Sequence, residues 1–356
     1  MKIEQVFERN KNSTSCDLGE PYIIAEAGVN HEGDLDTAKL QIEQAADSGC
    51  YAIKFQTYKA DKIASKDSPY YWDLKEEPTE SQYQLFKKYD KFWKKEYEAL
   101  KVHCDKHNIE FLSTPFDTES FDFLNDLMPV IKVSSSDLNN LPFIDYMCRK
   151  GGKPILLSTG ASYLWEVQRT LELIDSYGLD TCLMHCVLNY PTPDEHANLG
   201  MMLDLKKHFP EKVLGYSDHT LPKEMETLLT SYTLGAQIIE KHFTHDKSLK
   251  GNDHYHSMDK NDMIVFNKKL DALMAKMGRY DKTVLNSEQK SRANARRSLI
   301  AAVDIEKGTM IELKHLTWKR PASGISPELI EDLVGRVTTR NIENDTVLQW
   351  DMFQKT

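Results

Sequence analysis

Gly215-Tyr216-Ser217-Asp218-His219-Thr220, then a helix-like segment, then Ile238-Ile239-Glu240-Lys241-His242-Phe243-Thr244: this stretch decides how the chain is read. Each end is an apolar run that finishes in a polar cluster containing a histidine. Such a run reads as a parallel strand buried on both faces. Two neighbouring parallel strands deliver His219 and His242 to the same edge of a sheet. There they form a candidate pair of metal ligands, with positions left open for water and substrate. The competing reading is two satisfied structural histidines. Their matching positions on successive strands tip the balance towards metal.

Working outward, six similar runs precede this pair, at 22–28, 51–57, 109–115, 130–135, 154–160 and 181–187. Each of the eight is followed by a segment able to form a helix. Eight β/α units over roughly 250 residues predict a (β/α)8 TIM barrel. An open doubly wound sheet also alternates, but it carries a phosphate-loop glycine pattern that this sequence lacks. Chemistry points the same way. Glu26, Lys54, Gln56, Thr114, Lys132, Ser135, Ser158, Asp218, His219 and His242 all stand near the C-terminal ends of the runs. In a barrel those ends converge on one face. An insertion at 58–93, rich in Tyr, Trp and Lys, is expected to be a loop with helical pieces over the pocket mouth or a surface excursion.

The composition changes after residue 280. A polar stretch, 281–297, reads as a linker, and 298–356 as a small, mostly β domain near the lower size limit for an independent core. Within it, Ile305-Glu306-Lys307-Gly308-Thr309-Met310-Ile311 is echoed by Ile342-Glu343-Asn344-Asp345-Thr346-Val347-Leu348. The barrel domain then occupies 1–280, with a polar N-terminal lead-in that is no signal peptide. The net charge of −10 over 356 residues argues against nucleic acid and anionic membranes as partners. No apolar run reaches membrane-spanning length. Six scattered cysteines without a CxxC pair fit a reduced, cytoplasmic enzyme.

Lys54 and Lys132 lie in apolar strands, where an ammonium is costly unless it meets an anion. One reading is a nucleophilic Schiff-base lysine. The other is a pair of clamps for phosphate or carboxylate, with Thr114, Ser135 and Ser158 as hydroxyl donors. Two lysines flanked by hydroxyls favour the clamp over either that or a pair of structural salt bridges. Glu26 reads as an acid/base or as the partner of one of these lysines.

The residues at this point resemble the sialic acid synthase family. The resemblance rests on Ile24-Ala25-Glu26-Ala27-Gly28-Val29-Asn30-His31, Lys54-Phe55-Gln56, Ser113-Thr114-Pro115-Phe116 and Leu157-Ser158-Thr159-Gly160. It continues through His185-Cys186, Tyr190-Pro191-Thr192-Pro193, Ser217-Asp218-His219-Thr220 and Glu240-Lys241-His242-Phe243-Thr244. The tail, Trp318-Lys319-Arg320-Pro321 with Gly324-Ile325, is similar to the antifreeze-like (SAF) domain that ends those enzymes.

The resemblance implies condensation of phosphoenolpyruvate with an N-acylated amino sugar such as N-acetylmannosamine. The products are a nine-carbon 2-keto acid and phosphate. It also implies a divalent metal, commonly manganese, with magnesium or cobalt as alternatives, on His219 and His242. By the same carry-over, Lys54, Thr114, Lys132, Ser135 and Ser158 bind phosphoenolpyruvate, and Glu26 manages protons. Gln56, Asp137, Tyr190 and Asp253 face the sugar. Arg320 reaches it across a homodimer with a domain-swapped SAF domain.

Three departures bear on the acceptor. Val133-Ser134-Ser135-Ser136-Asp137 replaces the usual Gly-Ser-Gly-Glu after the lysine, Leu188 replaces an Asn, and the insertion carries Pro69-Tyr70-Tyr71-Trp72. The alternatives are therefore a synthase for legionaminate, pseudaminate or another nonulosonate and, further off, a Schiff-base aldolase or a non-catalytic carbohydrate- or ice-binding protein.

Overall fold

The computed structural model describes residues 1–12, 17–75, 77–251 and 253–354. The chain divides into two compact units, Met1–Tyr280 and Asp281–Thr356. The first is built on eight parallel strands: β1 (Tyr22–Gly28), β2 (Ala52–Thr57), β3 (Glu110–Pro115), β4 (Ile131–Val133), β5 (Ile155–Ser158), β6 (Thr181–Cys186), β7 (Val213–Asp218) and β8 (Ile238–His242). Their order, β3-β2-β1-β8-β7-β6-β5-β4, brings the end strands β3 and β4 beside each other, so the sheet nearly closes into a barrel. Every strand is flanked by helices, which is why the strands are apolar on both faces.

The helices follow from local sequence. Helix Leu141–Gly151 buries Phe143, Ile144, Met147 and Cys148, one face of a 3.6-residue period. It carries Pro142 in its first turn, where the missing N–H costs nothing, and Gly152 stops it at φ 60°.

The N-terminal lead-in proved to be more than a polar tail. Residues Ile3–Asn12 form a helix that buries Ile3, Val6 and Phe7. The Ile3 N–H donates to Glu110 Oε2 at 2.9 Å, Asn10 Nδ2 donates to the Glu211 carbonyl at 2.8 Å, and Gln237 Nε2 donates to Asn10 Oδ1 at 3.0 Å. Those partners sit at the starts of β3, β7 and β8, so this helix covers the N-terminal mouth of the barrel. The opposite, C-terminal mouth is not covered by this helix. Over it folds the 58–93 insertion, with short helices Ala60–Ile63 and Gln82–Tyr89. Tyr58 and Tyr89 anchor the insertion in a small apolar cluster with Val29, Phe86 and Phe116.

The second unit pairs β9 (Ser298–Ala301) antiparallel with β10 (Leu316–Lys319). The two echoed segments meet here: Ile305 and Ile342 exchange backbone hydrogen bonds of 2.8 and 2.9 Å and are buried together. Gly308 and Asp345, at matching places in the echo, both take left-handed backbone, φ 86° and 68°. The stretch expected to be a linker carries a helix, Gln289–Ala295, and groups with this unit.

Inside the barrel, Gly215 of β7 is hemmed in. A Cβ there meets Cys182 Sγ at 2.9 Å and the Ile238 carbonyl oxygen at 3.0 Å. Gly215→Val is therefore expected to lower unfolding free energy by about 1–3 kcal/mol, through overpacking. Denaturant-induced unfolding of the isolated variant checks this.

Candidate active site

Strand side chains alternate between faces, so position along the strand decides which residues see the barrel interior. On β1 and β2 the interior positions include Glu26, Lys54 and Gln56. On β3, β4, β5 and β6 they include Thr114, Lys132, Ser158 and Cys186, and on β7 and β8 Ser217, Glu240 and His242. All ten line one cavity of about 430 Å³ at the C-terminal mouth, together with Ser135, Leu188, Tyr190 and His219. Register aligns them: Glu26 is level with Lys54 on one side and His242 on the other, and Ser217 is level with Glu240. A larger groove of about 670 Å³ opens at the other end of the barrel, lined by Met1, Glu110 and Asp271. It lacks the convergent interior side chains, so the site belongs to the C-terminal mouth.

The floor of the cavity is a buried charge cluster. Lys54 Nζ lies 2.6 Å from Glu26 Oε2 and 3.7 Å from Glu240 Oε2, and donates to Thr114 Oγ1 at 3.0 Å. Lys132 Nζ lies 3.9 Å from Glu240 Oε1 and donates to Ser158 Oγ at 2.5 Å. Gln56 Nε2 donates to Glu26 Oε1 at 3.1 Å, and Ser217 Oγ to Glu240 Oε1 at 3.0 Å.

The two carboxyls are driven apart. Burial raises Glu26 to about 7, with the Glu240 charge adding to the effect and Lys54 opposing it. Burial works against Glu240 too, but Lys132 and Lys54 outweigh it and hold that carboxyl below its usual range. Burial likewise weakens the Lys132 ammonium, whereas Lys54, between two carboxylates, is held above the ordinary lysine value. A carboxyl that titrates near neutrality beside one that stays ionised is the pattern of divided acid/base roles.

The cavity wall on the β7–β8 side is imidazole-rich. His219 and His242 have ring centroids 5.2 Å apart, and Tyr190 packs on His219 at 4.1 Å. The His219 Nδ1–H donates to the Val187 carbonyl at 2.7 Å, which turns Nε2 away from that bond. On this wall His242, Asp253 and His256 bring ligand atoms within 4.8 Å of one another; the other such group among the described residues, Glu43, His103 and His107, lies away from the cavity. His242 Nδ1 has no hydrogen-bond partner and lies 3.5 Å from Asp253 Oδ2. Burial keeps His242 well below the usual imidazole value, hence neutral with a lone pair to offer. This donor set fits a divalent ion.

Several expected residues fall elsewhere. Asp218 and Lys241 occupy the outward positions of β7 and β8. There they form a buried pair at 2.8 Å, with Tyr216 and Thr220 also donating to Asp218. Asp218 is thus a strut behind the site. Asp137 accepts from Ser134 at 2.9 Å and Asn140 at 3.2 Å and does not line the cavity, although Ser134 and Ser136 beside it do. Arg320, expected to reach the partner's site rather than this one, is exposed in the second unit. His31 stacks on Phe92 at 4.2 Å and is pushed by burial down to about 3, a packing histidine.

Glu240, Ser217, Cys186 and His256 join the site without having been singled out. The first three were accessible from strand alternation alone, since Glu240 is two residues from His242 and Ser217 two from His219.

A model of the NeuB family matches residues 41–282, and one of the SAF domain matches 296–354. The chain belongs to the NeuB family. It is 41% identical to the N,N'-diacetyllegionaminic acid synthase of Campylobacter jejuni, over 92% of this chain and 98% of that one. It is 33% identical to the N-acetylneuraminate-9-phosphate synthase of Drosophila melanogaster, over 91% and 93%. Among solved structures, the N-acetylneuraminic acid synthetase of Leptospira borgpetersenii, in complex with citrate, superposes with a TM-score of 0.69 at 31% identity, covering 79% of this chain and 93% of that one. NeuB-family relatives are synthases of sialic, legionaminic and pseudaminic acids, and this chain carries the same barrel followed by an SAF domain. Among the described residues no helix is long and apolar enough to cross a membrane.

The Asp218–Lys241 pair is 1% exposed on both sides. Lys241→Met leaves an uncompensated buried carboxylate and is expected to cost about 3–5 kcal/mol of stability, with the Asp218→Leu/Lys241→Met double variant recovering most of the loss. A double-mutant cycle on unfolding free energy measures this.

Proposed function

We propose that this chain condenses phosphoenolpyruvate with an N-acylated amino sugar, giving a nonulosonate and inorganic phosphate. The observation that carries the proposal is the cavity floor: two buried lysines and a ring of hydroxyls facing imidazoles across a space large enough for two small substrates. Lys132 and Lys54 neutralise the carboxylate and phosphate of phosphoenolpyruvate, while Thr114, Ser135 and Ser158 contribute hydroxyl hydrogen bonds. His219 and His242 would hold a divalent ion, manganese in the first instance with magnesium or cobalt as alternatives, which when bound would supply Lewis-acid polarisation of the acceptor's aldehyde.

The enol carbon attacks that aldehyde carbon, its C=C π electrons form the new C–C bond, and the aldehyde oxygen takes up a proton from protonated Glu26. Positive charge develops on the former enol carbon, facing the Glu26 and Glu240 carboxyls. Water adds there and loses a proton to Glu26, whose affinity near neutrality suits the transfer. The resulting tetrahedral carbon then expels phosphate by C–O cleavage, its hydroxyl proton leaving with the phosphate as the ketone forms. Lys54 is held charged between two carboxylates, and Lys132 sits beside Glu240 and Ser158 with donors to spare, an arrangement that favours the clamp over Schiff-base chemistry.

For the acceptor, N-acetylmannosamine leading to N-acetylneuraminate is one reading. A di-N-acylated sugar leading to a legionaminate is the other. A specific observation favours the second: a small recess of about 100 Å³ adjoins the site beside His242 and Asp253, walled by Tyr58, Tyr71, Trp72, Phe86 and Tyr89. Aromatic walls suit an additional acyl group better than a free hydroxyl tail. Gln56 and Tyr190 line both spaces and are placed to meet the sugar.

The test is a phosphate-release screen of N-acyl amino sugars with phosphoenolpyruvate, using bridging oxygen labelled with a heavy isotope. Phosphate is expected to form only with an acceptor present, to stop on chelation, and to carry the label. Label retained in the sugar product rules out C–O cleavage. Borohydride trapping of pyruvate on a lysine, without phosphate release, supports the aldolase instead.

A further inference from the structure

After β8 the chain makes a loop and returns. Phe243 pairs with Met258, Thr244 N–H donates to the Met258 carbonyl at 2.9 Å, and Met258 N–H donates to the His242 carbonyl at 2.8 Å. This return fixes the turn His254–His256 against the end of β8. Two of its histidines meet different fates. His254 is engaged through Nδ1, which is 2.7 Å from Thr244 Oγ1, whereas its Nε2, 3.5 Å from Glu32, makes no hydrogen bond. His256 is fully buried, and neither ring nitrogen has a hydrogen-bond partner. A buried polar group left unpaired is costly, and native structures keep few of them.

His256 is aimed at the imidazole wall. Its ring centroid is 4.8 Å from that of His242 and 5.8 Å from that of Tyr190, and its Nε2 is 3.7 Å from Asp253 Oδ1. The other Asp253 oxygen is 3.5 Å from His242 Nδ1. These separations are too long for hydrogen bonds. They match donors gathered around one ion, since ligand atoms each ~2.1 Å from a metal stand about 3 to 3.5 Å apart.

We infer that His256, together with Asp253, is a ligand of the divalent ion beside His242, so that the ion meets two imidazoles and a carboxylate there rather than the His219–His242 pair alone. The inference rests on the metal-dependent reading above and extends it. A donor set so rich in nitrogen selects a borderline transition ion and disfavours magnesium, which prefers oxygen ligands.

The experiment titrates metal-stripped full-length protein with cobalt(II), followed by visible absorption and calorimetry, for the wild type and for His256→Asn and His256→Leu. Wild type is expected to bind one cobalt ion at least tenfold more tightly than either variant, with a different d–d spectrum. It is also expected to show at least a tenfold preference for cobalt or manganese over magnesium. In chelator, thermal unfolding of His256→Leu is expected to lie at or above that of wild type, because an unpaired buried imidazole has been removed; added cobalt should then raise the wild-type transition more than the variant's. Equal affinity and an unchanged spectrum in a folded variant overturn the assignment of His256 while leaving the metal reading intact. No cobalt or manganese binding by wild type overturns that reading itself, and this inference with it.

Discussion

The buried contact between Lys54 and its two carboxylates is the constraint around which this barrel is arranged. Lys54 Nζ sits 2.6 Å from Glu26 and 3.7 Å from Glu240, on side chains exposed by only 3%, 2% and 6%. Such a cluster does not stabilise a fold by itself, because desolvation offsets much of the attraction. It persists where the surroundings hold it. Here those surroundings are three adjacent strands in fixed register, β2, β1 and β8, with Gln56, Thr114 and Ser217 each adding a hydrogen bond to the cluster. The same arrangement divides the work between the carboxyls: Glu240 stays charged under two ammonium groups, and Glu26 is left to carry a proton near neutral pH.

The geometry also explains why the face behind the cluster is equally polar. Lys241 and Asp218 alternate with Glu240, His242, Ser217 and His219 on the same two strands, but point outward and neutralise each other. One face of each strand lines the cavity and the other braces it.

Much of this was legible in the sequence. Eight apolar runs ending in polar residues mark a barrel, and the echo around Ile305 and Ile342 anticipates a real backbone pairing. What escaped had physical reasons. The helix Ile3–Asn12 looks polar because only Ile3, Val6 and Phe7 turn inward. Asp218 was grouped with the reactive residues because strand ends were read without their alternation, which sends it to the outer face. His256 lies in an irregular loop whose return to β8 depends on pairing with Met258, a tertiary contact that no local pattern encodes. Asp137 sits close to the site in sequence, yet a local turn with Ser134 and Asn140 takes up its carboxylate.

The central claim is that Glu26 and Glu240, a few ångströms from the same ammonium, hold protons at different pH. Infrared spectroscopy of the carboxyl C=O stretch in the full-length protein tests it directly. The account predicts a buried protonated-carboxyl band that fades through about pH 7, is absent from Glu26→Gln, and persists in Glu240→Gln with its midpoint moved to lower pH, because the neighbouring charge is gone. If wild type shows no such band at pH 6, or if the band survives in Glu26→Gln and vanishes in Glu240→Gln, the assignment of the proton-carrying role to Glu26 is contradicted.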